Sequence, residues 1–96
     1  MILHLVFFKL KPEVDDAKLG EIIETTRTQL GAISHVSRVQ AGRNVEADGE
    51  WPFFLSVELE SIEGLEAYRV DPLHVAYVDS VIKPYTTGRK ALDFDI

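Results

Sequence analysis

The sequence predicts an α+β protein in which one four-stranded antiparallel sheet carries helices on a single face. Three observations lead there: an opening segment that is apolar on both sides, an element order of strand, helix, strand, strand, helix pair, strand, and turn or cap residues at the junctions. The 96 residues suit one domain, 1–96, and neither an internal repeat nor a linker interrupts them.

The opening Ile2-Leu3-His4-Leu5-Val6-Phe7-Phe8-Lys9-Leu10 is β-branched and aromatic, and Pro12 closes it, so it reads as a strand. Successive side chains alternate sides, which sends Ile2, His4, Val6, Phe8 and Leu10 one way and Leu3, Leu5, Phe7 and Lys9 the other. Both sets are mostly apolar, so both faces of this strand need cover. From Asp15 or Asp16 the period becomes helical, through Leu19, Ile22, Ile23, Thr26 and Leu30, with acids at the front and Gly31 as the stop; Ile33 still follows the pattern. Val36–Ala41 alternates weakly and stops at Gly42, as an edge strand would, and the polar stretch Arg43–Glu50 is a loop.

Phe53–Glu60 gives the clearest alternation, with Phe53, Leu55, Val57 and Leu59 as its apolar side. Ser61 is an N-cap for a short helix, Ile62–Tyr68, and Asp71-Pro72 is a second start, an acid followed by proline at the first helical position. That next helix carries His74, Val75, Val78, Val81 and Ile82 and is ended by Pro84, and Thr86–Ile96 supplies the last extended segment. The order is the split βαβ, ferredoxin-like arrangement. Helices on one side leave the other side of a doubly apolar strand bare. A homodimer through that open sheet face is the simplest cover.

Composition narrows the function classes. Ten Lys+Arg against sixteen Asp+Glu give a formal net charge of -6, which argues against a nucleic-acid surface or an anionic membrane surface. An apolar fraction of 46% excludes a disordered or low-complexity chain. With no cysteine there is no disulfide scaffold, thiol nucleophile or cysteine zinc site. Three scattered histidines without a close pair do not suggest a metal site, and no Gly-rich phosphate loop or nucleophile elbow suggests a cofactor. The opening apolar run is about half the roughly 20 residues that a membrane helix needs, and no basic lead or cleavage site frames it as a leader. Cytoplasmic residence is the expectation.

Four short motifs occur in one order: Ile2-Leu3-His4-Leu5-Val6-Phe7-Phe8-Lys9, Gly42-Arg43-Asn44, Tyr68-Arg69-Val70-Asp71-Pro72-Leu73-His74 and Leu92-Asp93-Phe94-Asp95. Together they resemble the stress-responsive A/B barrel (Dabb) family, over essentially the whole chain. The resemblance implies a ferredoxin-like monomer that pairs face to face into a dimeric α/β barrel. Most members of that family have no assigned reaction. A plant polyketide cyclase among them closes a linear chain by intramolecular aldol condensation without a cofactor, and the residues implicated there match His4, Tyr68 and His74. One departure is that Asp71 stands where the family commonly has a second histidine before the proline.

The resemblance thus implies cofactor-free acid/base chemistry on a small hydrophobic carbonyl compound. His74 would take a proton alpha to a carbonyl, Tyr68 would bond the enolate oxygen, and His4 would orient or relay. In the first turn of its helix, His74 feels a dipole that lowers its pKa and an Asp71 charge that raises it. Each residue also has a plainer role: His4 as a bonded core histidine, Tyr68 as a core aromatic with one wet end, His74 as part of the helix's inner stripe. Two other functions fit the same residues, a non-catalytic small-ligand-binding or stress-response protein and a cofactorless monooxygenase. Glu58 and Glu60 read as a solvated stripe, and His35 as a turn residue able to cap free helix carbonyls. Trp51, Phe53 and Phe54 belong to the core or to a cavity wall.

Overall fold

Strand β1 (Ile2–Leu10) runs between β3 (Phe53–Leu59) and β4 (Thr86–Asp95), antiparallel to both, and β2 (Arg38–Arg43) lies beyond β3, giving the order β2-β3-β1-β4. The computed structural model describes every residue from Met1 to Ile96. Between the strands run α1 (Asp16–Gly31), α2 (Ile62–Val70) and α3 (Pro72–Tyr77); α3 continues through a π-helical turn, Val78–Ile82, into a last turn, α4 (Lys83–Tyr85). The fold is ferredoxin-like, as the element order requires. No helix is long and apolar enough to cross a membrane.

The alternation in β1 is realised as expected. Val6 and Phe8 are buried on the helix side, beside Leu55 and Phe53 of β3, in one core that also holds Leu19, Ile22 and Ile23 of α1. Asp15 caps α1, its carboxylate accepting the Lys18 N–H at 2.7 Å, and Ser61 caps α2 by accepting the Gly64 N–H at 3.1 Å. On the opposite side Leu3, Leu5, Phe7 and Leu92 are only half-buried and Phe94 is exposed, because no helix lies over them. Trp51, from the loop between β2 and β3, leans onto this side with its ring 6.3 Å from Phe7. The apolar open face is therefore a property of the chain as folded.

Helix α2 runs two residues past Tyr68, to Val70, and β3 and β4 each end one residue short of the expected Glu60 and Ile96; two further differences have a clear physical cause. Strand β2 begins and ends two residues later than Val36–Ala41, so Gly42 lies inside it. Gly42 pairs with Phe54, whose ring would stand 3.0 Å from a Cβ at that position; the glycine makes room for a neighbour and does not mark an end. Pro84 likewise does not stop the third helix outright. Having no N–H, it cannot donate back to the Ser80 carbonyl, and its ring crowds that carbonyl. The chain widens just before it, with the Lys83 N–H bonding Val78 O, and the helix ends a residue later at Tyr85.

A buried polar link ties α1 to α3. The Thr26 hydroxyl donates to the Ile22 carbonyl at 2.7 Å and accepts from the Tyr77 hydroxyl at 2.6 Å; both residues are essentially inaccessible. Burial holds the Tyr77 phenol well above its ordinary pKa, so it stays a donor. Tyr77→Phe leaves the Thr26 oxygen short of a partner and should cost about 1–2 kcal/mol. Urea unfolding should show a lower midpoint at unchanged slope.

Candidate active site

The site begins with a corner in the chain. A residue before proline is kept out of the right-handed helical region, so α2 must end at Asp71, which is extended (φ -60°, ψ 132°) ahead of Pro72. Asp71 serves both helices at once. Its N–H closes α2 on the Tyr68 carbonyl at 3.2 Å, and its carboxylate opens α3 by accepting the Leu73 N–H at 2.9 Å. Because the corner is one residue long, α3 turns back beside the end of α2, and the rings of Tyr68 and His74 come within 4.4 Å. His4, on the helix side of β1, approaches Tyr68 from beneath with a ring separation of 6.0 Å. The three residues singled out from the sequence therefore meet, with Tyr68 between the two histidines.

Hydrogen bonds fix both imidazoles. The His74 Nδ1 lies 3.0 Å from the Arg69 carbonyl, which can only accept, so Nδ1 carries the proton and Nε2 is left with its lone pair. The His4 Nδ1 lies 2.5 Å from Asp93 Oδ1 and donates to it in the same way. Asp93 is set directly opposite His4 by the β1–β4 register, and its second oxygen takes the Arg69 guanidinium at 3.3 Å. Arg69 thus steadies both histidines, one through its carbonyl and one through Asp93. Asp93 and Arg69 were given no role by the sequence reading. The alternation of Ala91, Asp93 and Asp95 put a carboxylate on a strand face, but only the register shows that His4 is across from it.

Burial is the main influence on His74 and pushes its pKa below the ordinary 6.5; the Arg69 carbonyl and Asp71 pull upward, and His4 and Arg89 push further down. The expected opposition between dipole and Asp71 is thus decided mainly by desolvation. The imidazole is neutral at pH 7. Tyr68 is 1% exposed, and burial raises its phenol well above 10, so it remains an O–H donor. Unlike Tyr77, it makes no hydrogen bond within the protein, and its oxygen is not sealed off.

His4, Tyr68 and His74 line one cavity with Val6, Phe8, Leu55, Tyr77, Val78, Ile82 and Arg89. Its volume is about 40 Å³, room for a few waters. Phe53 is in the core, stacked on Phe8, while Trp51 and Phe54 lie toward the open sheet face, so none of the three lines this cavity. Glu58 meets Arg38 at 3.9 Å. His35 is exposed in the turn after α1 without bonding the helix carbonyls; the Ala32 N–H, donating to Gln29 and Leu30, does that.

The sequence profile of the Stress responsive A/B Barrel Domain matches residues 2–96. The chain belongs to this family. Olivetolic acid cyclase of Cannabis sativa is 27% identical over 79 residues, 79% of this chain and 78% of that protein. Two solved structures have the same fold. A Dabb family protein from Mesorhizobium loti superposes with a TM-score of 0.85 at 23% identity, over 99% of this chain and 95% of that one. A dimeric ferredoxin-like protein from Thermobifida fusca gives 0.85 at 24%, over 99% and 90%.

The depressed His74 pKa carries a pH signature. Its native pKa lies below its unfolded value, so the unfolded chain binds the extra proton first, and stability is lost as pH falls from about 6.5 through the native value. A histidine NMR titration should place His74 below 6.5. Asp71→Asn, which keeps the cap but removes the charge, should move it lower still.

Proposed function

We propose that this protein is a cofactor-free acid/base catalyst acting on a small hydrophobic carbonyl compound, with a cyclase-like reaction as the leading form. The observation that carries this reading is the pairing of two opposite capacities in one cavity. A neutral His74 has its Nε2 lone pair uncommitted, and beside it Tyr68 has a hydroxyl that the protein leaves unpartnered. His74 removes a proton alpha to the carbonyl, and Tyr68 donates to the oxygen as the enolate forms. His4, held by Asp93, orients the substrate or relays the proton. The similarity to olivetolic acid cyclase supports the same assignment. The cavity is smaller than the roughly 300–1,000 Å³ of ordinary ligand pockets. A substrate therefore extends beyond this cavity, past the wall that Val78 and Ile82 of the π-helical turn supply.

The assembly is a homodimer through the open sheet face, which supplies the cover that Leu3, Leu5, Phe7 and Phe94 lack. The dimeric state of the Thermobifida fusca structure accords with this. Sedimentation velocity at micromolar concentration should give a dimer, and Leu5→Arg should give a monomer.

Catalysis is tested without knowing the natural substrate. Methyl ketones with short alkyl or phenyl tails, incubated with the protein in D2O, should lose alpha protons faster than in buffer, as read by NMR. His74→Ala should slow this by about 10²–10⁴-fold and Tyr68→Phe by about 10²–10³-fold, with the dimer intact. Ketones that bind but never exchange, at any pH, would leave a binding protein and sink the catalytic reading.

A further inference from the structure

The arginines of this chain are not alike. Four of the five meet a carboxylate: Arg27 with Glu24, Arg38 with Glu58, Arg43 with Asp16, and Arg69 with Asp93. Arg89 meets none, in a chain with sixteen acids, and it is the one arginine that lines the cavity of His4, Tyr68 and His74.

Its place follows from strand register. On the helix side of β4, Asp93 stands opposite His4, Ala91 opposite Val6 and Arg89 opposite Phe8. All three β4 residues are exposed, because the helices stop short of this edge strand. The small Ala91 side chain leaves the strand open between the Asp93 end and the Arg89 end. Beyond Arg89 lies a groove of about 410 Å³, which shares Val78, Ile82 and Arg89 with the cavity and adds Lys83, Thr86 and Thr87. Groove and cavity therefore meet at Arg89, and the groove has the size that the inner cavity lacks.

We propose that groove and cavity form one binding site for an apolar carbonyl compound bearing a carboxylate, with Arg89 as the residue that selects the acid. The carbonyl end enters toward His74 and Tyr68, so this rests on the catalytic reading above. A guanidinium matches a carboxylate with two parallel N–H donors, and Arg89 has all of its donors free of protein partners. The charge count favours a monoanion. Lys83 is engaged by Asp79 at 2.9 Å, so Arg89 supplies the one uncompensated positive charge in the groove. A phosphate dianion would keep a negative charge unbalanced in a chain already at -6.

The test uses β-benzoylpropionate and its methyl ester, which share one ketone and differ in charge, with dissociation constants read from the His4 and His74 ring resonances. The wild-type protein should bind the acid roughly tenfold or more tightly than the ester. Arg89→Gln should abolish that preference, and Arg89→Lys should keep part of it. Arg89 is exposed and unpaired, so the thermal midpoint of its variants should match wild type. Equal affinities, no binding of the acid at millimolar concentration, a preference that survives Arg89→Gln, or tighter binding of phenyl phosphate would each overturn the proposal. Alpha-proton exchange separates the two readings: exchange without acid preference removes only the role of Arg89, and acid preference without exchange removes only the catalysis.

Discussion

A β-strand presents alternate residues to opposite sides, and in β1 both sides are committed to apolar work. The even-numbered side, from Ile2 to Leu10, meets the helices and carries the core. His4 is its one polar member and bonds Asp93 across the strand pair. The odd-numbered side, Leu3, Leu5 and Phe7, can reach no helix of its own chain because α1, α2 and α3 all pack on the other face. A one-residue slip would bring Lys9 to the core and His4 to the open face, so the register that buries Val6 and Phe8 also aims His4 at the cavity. Core, candidate site and the uncovered apolar face are thus one constraint seen from different sides.

The rest of the site depends on a break between helices. If residues 62–85 formed one continuous helix, Tyr68 and His74 would lie six positions apart, about 9 Å along the axis and well off a common stripe. The Asp71-Pro72 corner replaces that distance with ring contact. It also frees the Arg69 carbonyl, near the end of α2, to take the His74 Nδ1 proton. The proline sets the geometry and, through that carbonyl, the tautomer of the proposed base.

Elements governed by local chemistry were legible in the sequence. β1 falls on the residues that alternation and Pro12 marked, and Ser61 and Asp71 act as the caps their positions suggested. Features set by distant partners were less so. Gly42 looked like a terminator because Phe54, which needs the space, is twelve residues away on the neighbouring strand. His4 and Asp93 are separated by 89 positions, and their pairing depends on a β1–β4 register that no tight turn specifies. Pro84 read as the end of the helix, but what it causes, a π-helical turn with Tyr85 still helical beyond it, depends on how the flanking residues repack. Arg89 gave no local signal at all, since an unpaired arginine is recognised only when every carboxylate has been placed.

The cavity wall and the weak point of the helix layer coincide. Val78 and Ile82 bracket the π-helical turn, and Pro84 just beyond it withholds a donor from the helix ladder. Tyr77 immediately before it is anchored to Thr26, whereas Thr86 after it bonds back to the Ile82 carbonyl at 2.8 Å. Deforming this stretch costs fewer regular hydrogen bonds than deforming α1, where the backbone is capped and continuous over sixteen residues. The groove beside Arg89 adjoins the same segment, so cavity wall and groove share the least regular part of the helix layer.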